Sequence, residues 1–349
     1  MLACMVTPGD MSTAGVEEIG EPPESDGDVV VDGLLVGVCG TDIEIAREGY
    51  GEPPPGHQRL VLFHESLGRV TSAPDASGLR PGDLVVGVVR RPDPVPCACC
   101  AQGEWDFCRN GLFTERGIKQ HDGYGSRRWR VPPEFAVSIP AALGDLGVLT
   151  EPASVVAKAW DQVERIGARS CFTPEHVLVT GAGPIGLLAA LMGVQRGLKV
   201  TVVDRVTDGP KPQVVRDLGA DYHAGSVDDL PCRPDVVIEC TGVGQLVFDV
   251  LTSTAPNAIT CLTGISSGTR TLEAAADAIN KTLVLCNDVV VGSVNANRRH
   301  YELAVEALAK ADPEWLARLV TRRVPMARWP EALARQDDDV KVVVDLQSG

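Results

Sequence analysis

The segment VLVTGAGPIGLLAA, at positions 177–190, constrains the fold more than any other part of the sequence. It places glycines in a G-x-G-x-x-G pattern between an apolar run typical of a strand and a second run typical of a helix. The first glycine permits a tight turn, the second lets backbone approach a pyrophosphate, and the third lets the helix pack on the strand. The helix N-terminus then offers free N–H groups to the phosphates. A glycine-rich turn with a capping aspartate is the alternative to the dinucleotide site that we predict at Gly181, Gly183, Pro184, Ile185 and Gly186.

Strand-like and helix-like segments alternate around this motif, from position 176 to about position 295. HVLVTGAG, KVTVVDR, DVVIECTG, AITCLTG and DVVVGSV have the composition of strands, and the segments between most of them have helical spacing. Such alternation predicts βαβ units and a parallel sheet, which binds its ligand where the strand order reverses. We therefore expect the nicotinamide half of the cofactor near three strand ends, at Thr241, Gly264 and Ser293.

The second predicted strand ends at Asp204, 18 residues after Gly186. An acidic side chain at that place accepts hydrogen bonds from the hydroxyls of the adenosine ribose. This favours NAD over NADP as the cofactor. Arg205 and Lys211 lie nearby in the sequence and are able to accept a 2′-phosphate, so NADP stays open.

The first 150 residues have a different sequence pattern. Short β-like runs such as DVVVDGLLVGV and GDLVVGVV are separated by Gly and Pro, which predicts an irregular all-β unit. A helix is predicted in GVLTEPASVVAKAWDQVERIG, and DDDVKVVVDL reads as a last strand. With 349 residues, the chain has room for two domains of ordinary size.

Composition excludes several classes of protein. The net charge of −15 argues against a nucleic-acid surface, which needs a basic stripe. The sequence contains no stretch of about 18 apolar residues, so no membrane span is predicted. The N-terminal MLACMVTPGD has no basic region followed by an apolar one, so we expect no signal peptide. Eleven cysteines without a secretion signal indicate a reducing compartment, and we predict a cytoplasmic protein.

Three residues outside the nucleotide motif are typical zinc ligands. They are Cys39 in GVCGTD, His64 in FHES and Glu151 in LTEPAS. A thiolate, an imidazole and a carboxylate leave one zinc position open for a substrate, as hydride-transfer chemistry on an alcohol requires. Each residue alone is weak evidence, because a single histidine beside an apolar run is more often a satisfied core residue.

A second cysteine cluster lies in DPVPCACCAQGEWDFC, with Cys97, Cys99, Cys100 and Cys108 within 12 residues. Four thiolates so close in sequence predict a closed structural zinc site. Two alternatives stay open, namely a set of free surface thiols and a redox switch.

Several motifs together resemble the zinc-dependent medium-chain dehydrogenases over essentially the whole chain. They are GVCGTD, HESLGRV, GDLVVG, the cysteine lobe, GAGPIG and CTGVG. The segments VRRPDPVPC, GEWDFCRNG, TERGI and EPASVVAKAW are similar to the glucose 1-dehydrogenase branch. The resemblance implies an α/β fold, with a GroES-like irregular β-barrel catalytic domain (1–165 and 305–349) and a Rossmann doubly wound parallel-sheet nucleotide domain (166–304). It also implies a homodimer or homotetramer.

The resemblance assigns roles to individual residues. Catalytic zinc would be held at Cys39, His64 and Glu151, with Glu65 moving in or out of the coordination shell. Thr41, two residues after the zinc cysteine, would relay the proton. Sugar contacts would come from Glu115, Glu151 and Asn295, and Lys341 would lie near the cofactor phosphates.

This chain departs from the resembling family at three places. Phe63 replaces the usual glycine before the zinc histidine, so a phenyl ring is expected to narrow the cleft or to change the backbone turn. The first cysteine of the usual structural zinc site would fall near Asp93 or Pro94, which leaves Cys99 as a substitute or the site with three ligands or empty. Cys286 stands where some relatives carry a polar residue.

The predicted reaction is zinc-dependent oxidation of a glucose-like aldose at C1 to the lactone, with hydride transfer to NAD or NADP. A polyol, a cyclitol or a pathway-specific sugar alcohol is the nearest alternative substrate. Two further classes stay open, namely a zinc-free quinone or enone reductase and a thiol sensor that binds NAD without turnover.

Overall fold

The computed structural model describes residues 1–266 and 271–348. The chain divides into two compact units, one formed by Met1–Ser154 with Asn295–Gly349 and the other by Val155–Val294. The boundaries predicted from sequence, near 165 and 305, both lie C-terminal to these observed boundaries. The difference arises because the helix Thr150–Gly167 runs across the first boundary, and because the helix Arg298–Lys310 belongs wholly to the first unit.

The elements of the first unit, up to Ser154, are mostly short strands. They are β1 (Leu2–Thr7), β2 (Asp10–Glu18), β3 (Val29–Gly37), α1 (Gly40–Glu48), β4 (Leu60–Val61), β5 (Glu65–Ser72), β6 (Leu84–Gly87), β7 (Arg90–Arg91), β8 (Thr114–Arg116), β9 (Gln120–His121), β10 (Arg128–Val131), β11 (Ala136–Ile139) and the start of α2 (Thr150–Gly167). Short 3-10 turns connect many of them, including Trp105–Phe107.

The second unit alternates strands and helices. Its elements are β12 (His176–Thr180), α3 (Pro184–Gln195), β13 (Lys199–Val203), α4 (Pro210–Asp217), β14 (Asp221–His223), β15 (Val236–Glu239), α5 (Gly244–Val250), β16 (Ile259–Leu262), α6 (Ala276–Cys286) and β17 (Val289–Gly292). The chain then returns to the first unit with α7 (Arg298–Lys310), α8 (Pro313–Ala317), β18 (Val320–Pro325) and β19 (Lys341–Asp345).

The main sheet of the first unit has seven strands, in the order β11-β6-β5-β3-β19-β18 with β10 also pairing β3. The last strand of the chain, β19, is antiparallel to β3 in the register Val344 to Val36. Smaller sheets of three strands have the orders β2-β1-β4 and β7-β8-β9. The predicted irregular β unit and the return of the C-terminal strand are confirmed.

The second unit contains one parallel sheet of six strands in the order β14-β13-β12-β15-β16-β17. The order reverses between β12 and β15, which is the arrangement of a doubly wound nucleotide-binding sheet. Its central strands are buried and rich in β-branched residues, as strands covered on both faces require. The predicted Rossmann unit is confirmed. Among the described residues, no helix combines the length and the apolar character needed to cross a membrane.

One half-buried histidine of the first unit makes stability depend on pH. Burial lowers the pKa of His121, in β9, from 6.5 to about 2, and the charges of Arg116 and Arg91 lower it further. The folded chain therefore keeps this imidazole neutral at pH values where the unfolded chain protonates it. The stability that it contributes is present above pH 6.5 and is lost as the pH falls towards about 2.

We expect the free energy of unfolding to fall when the pH is lowered from 7.5 to 5, with His121 contributing up to about 2 kcal/mol of the loss. Denaturant unfolding of the wild type and of His121→Gln at both pH values measures this contribution. The variant should lose less stability than the wild type on acidification. Equal losses in the two proteins would show that His121 is not the titrating group.

Candidate active site

Cys39 lies between the end of β3 and the start of α1, as the N-cap residue of that helix. Its backbone N–H donates to Asp42 Oδ2 at 2.7 Å, and its side chain accepts from the Asp42 backbone in return, which completes a capping box. The Cys39 Sγ lies 3.9 Å from the hydroxyl of Thr41. Local helix capping therefore fixes the positions of the predicted zinc thiol and of the predicted proton relay.

His64 and Glu65 stand at the start of β5, where Glu65 pairs with Gly37 of β3. Gly37 is required there, because a Cβ at that position would overlap Glu65 Oε2. The ligand atoms of Cys39, His64 and Glu65 lie within 4.8 Å of one another. A thiolate, an imidazole and a carboxylate at such spacing are a donor set that suits zinc.

The charge around this cluster also fits a divalent cation. His64 Nδ1 lies 3.5 Å from Asp42 Oδ1, and both side chains are buried. Burial lowers the pKa of His64, but the charges of Asp42 and Cys39 outweigh burial and leave the pKa well above 6.5. The surplus of negative charge that holds a proton on the imidazole is the charge that a zinc ion would neutralise. A carboxylate behind a ligating histidine also fixes the orientation of the ring.

Glu65 has a cationic partner that the sequence did not indicate. The Lys341 ammonium, on β19, donates to Glu65 Oε1 at 2.6 Å, to Glu65 Oε2 at 2.7 Å and to the Val38 carbonyl oxygen at 3.1 Å. These three bonds use all three protons of the ammonium. Lys341 is thus buried against the zinc-ligand cluster, whereas the sequence predicted it near the cofactor phosphates.

Glu151, in the first turn of α2, was predicted as the third zinc ligand but lies outside the group within 4.8 Å; Glu65 takes its place there. Burial raises the pKa of Glu151 to about 7, which His64 opposes and Glu65 reinforces. Glu151 is buried, and its carboxyl interacts electrostatically with both His64 and Glu65. A carboxyl group with such a pKa exchanges protons near neutral pH.

Phe63 adopts a backbone φ of 73°, in the left-handed region that glycine occupies most easily. Its ring is fully buried and packs edge-on against Trp329, with ring centroids 5.5 Å apart. The expectation that the ring narrows the cleft is therefore wrong, because the side chain turns into the core. The altered backbone turn, expected as the other possibility, stays a prediction, because a positive φ is also what a glycine at this position adopts.

This conformation predicts an unusual order of stability for two variants. Phe63→Ala should lose about 3–5 kcal/mol of unfolding free energy through the lost ring contacts, while keeping a Cβ at positive φ. Phe63→Gly loses the same contacts but relieves about 1 kcal/mol of backbone strain. We expect the glycine variant to be the more stable of the two in denaturant unfolding. At buried Phe135, which has no positive φ, the alanine variant should be the more stable.

Two of the three residues predicted to contact the sugar, Glu115 and Asn295, contact each other in the structure. Asn295 Nδ2 donates to Glu115 Oε1 at 2.8 Å, and Asn295 itself adopts a positive φ of 60°. Arg90 also donates to Glu115 Oε1, and the two side chains are buried together. Sequence reasoning did not single out Arg90, because nothing in the segment VRRP shows a partner on another strand. Asp42 and Lys341 escaped assignment to the zinc cluster for the same reason.

The cysteine lobe brings together three thiols. The Sγ atoms of Cys97, Cys100 and Cys108 lie within 4.8 Å of one another, and Cys99 is outside this group. The N–H of Arg109 donates to Cys97 Sγ and, with other backbone N–H groups, lowers the pKa of Cys97 to about 6. All eleven cysteines are free thiols. The three clustered thiols suit a metal, and Cys99, which interacts with Cys97, stays a predicted fourth ligand.

The glycine motif has the predicted geometry at the end of β12. Gly181 turns with φ 86°, and Gly186 packs so closely that a Cβ would overlap the Gly181 carbonyl oxygen. A Cβ on Gly183 would meet open space, as expected where a ligand approaches the backbone. Asp204 accepts hydrogen bonds from the N–H groups of Ala182 and Val206, at 2.6 and 3.1 Å. Each of its oxygens keeps a second lone pair for a ribose hydroxyl.

The strand ends of the second unit contain a buried acid that the sequence analysis missed. Glu239, the last residue of β15, accepts hydrogen bonds from the Thr180 hydroxyl at 3.1 Å and from the Thr241 N–H at 2.8 Å. It thereby fixes the backbone at Thr241 and Gly242. The buried hydroxyl of Ser293 has no hydrogen-bond partner among residues 1–266 and 271–348. Gly264 leaves no space for a side chain beside Gly242.

Comparison with known proteins agrees with these two sites. A family model described as glucose dehydrogenase C-terminus matches residues 144–346, and one described as alcohol dehydrogenase GroES-like domain matches residues 25–141. The glucose 1-dehydrogenase of Thermoproteus tenax is 38% identical over 354 residues, which cover 100% of both chains. That of Methanocella arvoryzae is 36% identical over 359 residues, which cover 99% of each.

A solved structure gives the same result. Haloferax mediterranei glucose dehydrogenase in complex with NADP, Zn and gluconolactone has a TM-score of 0.91 and 30% sequence identity, with 100% of both chains covered. The chain thus shares its fold with a zinc- and NADP-containing glucose dehydrogenase over its whole length. The chain therefore belongs to the zinc-dependent medium-chain dehydrogenases, in their glucose dehydrogenase branch.

Proposed function

We propose that this protein oxidises glucose or a closely similar aldose at C1 to the lactone. The C1 hydride passes to the nicotinamide of NAD or NADP, and the hydroxyl proton leaves through the protein. The observation that carries the proposal is the cluster of Cys39, His64 and Glu65, bordered by Glu151. The gluconolactone, NADP and Zn named for the Haloferax relative support the same reaction here.

Residues of the first unit have separate roles in zinc binding and proton transfer. Cys39 and His64, with Glu65 or Glu151, would hold zinc, and Asp42 orients the imidazole. Bound zinc supplies a Lewis acid that lowers the pKa of a hydroxyl group on it. Thr41 accepts the hydroxyl proton and passes it outward.

Two carboxylates and one amide are available to the sugar. Glu115 accepts a hydrogen bond from a ring hydroxyl. Asn295 holds Glu115 in place, and its own Oδ1, which accepts from the Ala296 N–H at 2.7 Å, keeps a second lone pair. Glu151, with its pKa raised to about 7, accepts a hydrogen bond when ionised and donates one when protonated. The positions of these groups are what would select an aldose over a simple alcohol.

The cofactor preference predicted from Asp204 is not carried forward, because the Haloferax relative was solved with NADP. We propose that both cofactors are accepted here. Asp204 keeps lone pairs for the ribose hydroxyls of NAD, and the exposed Arg205 beside it offers a cation to the 2′-phosphate of NADP.

The experiment that tests the proposal is absorbance at 340 nm after the zinc-loaded protein is mixed with D-glucose and either NAD or NADP. We expect a rise with each cofactor that a zinc chelator abolishes and added zinc restores. No rise with glucose, but a chelator-sensitive rise with a polyol or cyclitol, would overturn the aldose assignment. A rise that survives complete zinc removal would overturn the zinc assignment.

The main reason to consider a polyol or cyclitol as the substrate was the expectation that Phe63 narrows the cleft. That reason is absent, because the ring packs on Trp329 in the core. The half-buried Cys286 at the end of α6 is the remaining departure from the resembling family. The proposal therefore favours an aldose.

A further inference from the structure

Arg90, the first residue of β7, makes an unusually complete set of contacts for a buried arginine. Its Nε and Nη2 lie 3.0 and 2.9 Å from Glu115 Oε1, and its Nη1 donates to the Asp106 carbonyl oxygen at 3.2 Å. Its guanidinium lies over the ring of Phe113, 3.8 Å from the centroid. The contacts with Glu115 and Asp106 on two sides and with the Phe113 ring on one face hold the guanidinium in one orientation.

The two oxygens of Glu115 have different surroundings. Oε1 accepts hydrogen bonds from Arg90 Nε and from Asn295 Nδ2, the latter at 2.8 Å, and it forms an ion pair with Arg90 Nη2. Oε2 accepts no hydrogen bond from the part of the chain that the structure describes. Glu115 as a whole is only 8% exposed, and Oε2 is not one of the fully buried polar atoms that lack a partner, so Oε2 is the accessible oxygen of the carboxylate. The unfilled oxygen is therefore the one that a ligand hydroxyl would reach.

We propose that Arg90 is a positioning residue for sugar binding, which holds Glu115 so that Oε2 accepts a hydrogen bond from a substrate hydroxyl. The inference rests on the proposed function. It assigns to Arg90 a role in substrate affinity without contact between Arg90 and substrate. Arginine is needed because its planar guanidinium places a donor and a second cationic nitrogen against one carboxylate oxygen while Nη1 reaches the Asp106 carbonyl oxygen.

The other end of Arg90 is anchored by the cysteine lobe. The Asp106 carbonyl that it contacts lies in the turn Trp105–Phe107, directly before Cys108. Asn297, the N-cap residue of α7, donates to Asp106 Oδ1 at 2.9 Å and braces the same turn. The position of Glu115 thus depends on a turn that lies next to the cluster of three thiols.

A double-mutant cycle between Arg90 and Glu115 tests the inference. The variants are Arg90→Met, Arg90→Lys, Glu115→Gln and Arg90→Met with Glu115→Gln, all zinc-loaded and checked for folding by thermal melts. We expect Arg90→Met to raise the KM for D-glucose by about 10- to 100-fold, since a hydrogen bond to a charged group is lost. The KM for the nicotinamide cofactor and kcat should change by less than about twofold.

The remaining variants identify the route of the effect. Glu115→Gln should raise the KM for glucose similarly, and the double variant should be no worse than the worse single variant, because both changes break one interaction. Arg90→Lys keeps the charge without the fork, so an intermediate KM is expected, and this variant serves if Arg90→Met does not fold. Arg91→Met is the matched control, since Arg91 contacts Tyr124 and Val88 but not Glu115, and should leave the KM unchanged.

The outcomes separate this inference from the proposed function. Additive effects in the cycle, or parallel losses in kcat and in both KM values, would overturn the positioning role. If the wild type oxidises another alcohol but not glucose, the aldose assignment fails, and the same KM comparison with that alcohol decides the role of Arg90. Absence of turnover with every alcohol would overturn both.

Discussion

His64→Ala is expected to lose the catalytic zinc and to lower kcat/KM for D-glucose by at least about 10³-fold. Removal of the imidazole takes away one of the three donor atoms that lie within 4.8 Å, and the Lewis acid contributes several kcal/mol to the reaction. Zinc content per chain and the rate of absorbance change at 340 nm measure the two effects. Binding of the cofactor should survive, because the glycine motif belongs to the other unit.

The matched control for this variant is His57→Ala, which removes an exposed histidine from the same unit. It should retain zinc and full activity. Full activity in His64→Ala, or equal loss of zinc in both variants, would contradict the assignment of His64. A partial loss of zinc with activity proportional to the remaining metal would still support it.

The second large effect is expected at Lys341, and on stability rather than on catalysis alone. Lys341 and Glu65 are both almost completely buried, and each is the other's counter-charge. Lys341→Met leaves the Glu65 carboxylate without its cation, which costs about 3–5 kcal/mol for a buried pair. Denaturant unfolding of the zinc-free and zinc-loaded proteins measures the loss. The loss should be smaller with zinc, because a bound cation beside Glu65 partly replaces the ammonium.

Two further variants test this prediction. Adding Glu65→Gln to Lys341→Met should recover most of the lost stability, because the unpaired charge is gone. Lys310→Met removes an exposed lysine paired with Glu306 on α7 and should cost less than about 0.5 kcal/mol. If Lys341→Met is as stable as Lys310→Met, the Glu65–Lys341 pair does not contribute as the geometry indicates.

The nucleotide unit was predictable because its signals are local. The glycine motif specifies a turn, a close approach and a packing contact within a few residues, and the flanking apolar runs specify strand and helix. Asp204 follows in the next strand at a spacing that the βαβ geometry fixes. Glu239 was missed because a buried acid at a strand end has no pattern of its own in the sequence.

The metal cluster shows where sequence reasoning stops. Cys39, His64 and Glu65 were identified, but the grouping of Glu65 rather than Glu151 depends on the pairing of β3 with β5. The bond between Lys341 and Glu65 joins strands 276 residues apart in the chain. Contacts at such separation follow from strand order and register, which no local pattern of residues encodes.

Phe63 illustrates a third kind of limit. The sequence showed a bulky residue where the resembling family has glycine, and in the structure Phe63 adopts a positive φ of 73°. The direction of the ring was not predictable, because it depends on Trp329, which comes from the C-terminal part of the chain. The Arg90–Glu115 pair was missed for a related reason, since it requires the pairing of β7 with β8.

The strand β19 has a consequence for synthesis of the protein on the ribosome. It lies between β3 and β18 in the main sheet, so the strand order of this sheet cannot be completed until residues 341–345 have left the ribosome. The unit formed by Val155–Val294 is translated entirely before then and can fold first, although domains usually fold from the N-terminus onward. Throughout that interval the nascent β3 and β5 have no Lys341 beside Glu65. Glu65 therefore gains its buried counter-charge only when the final strand reaches the sheet.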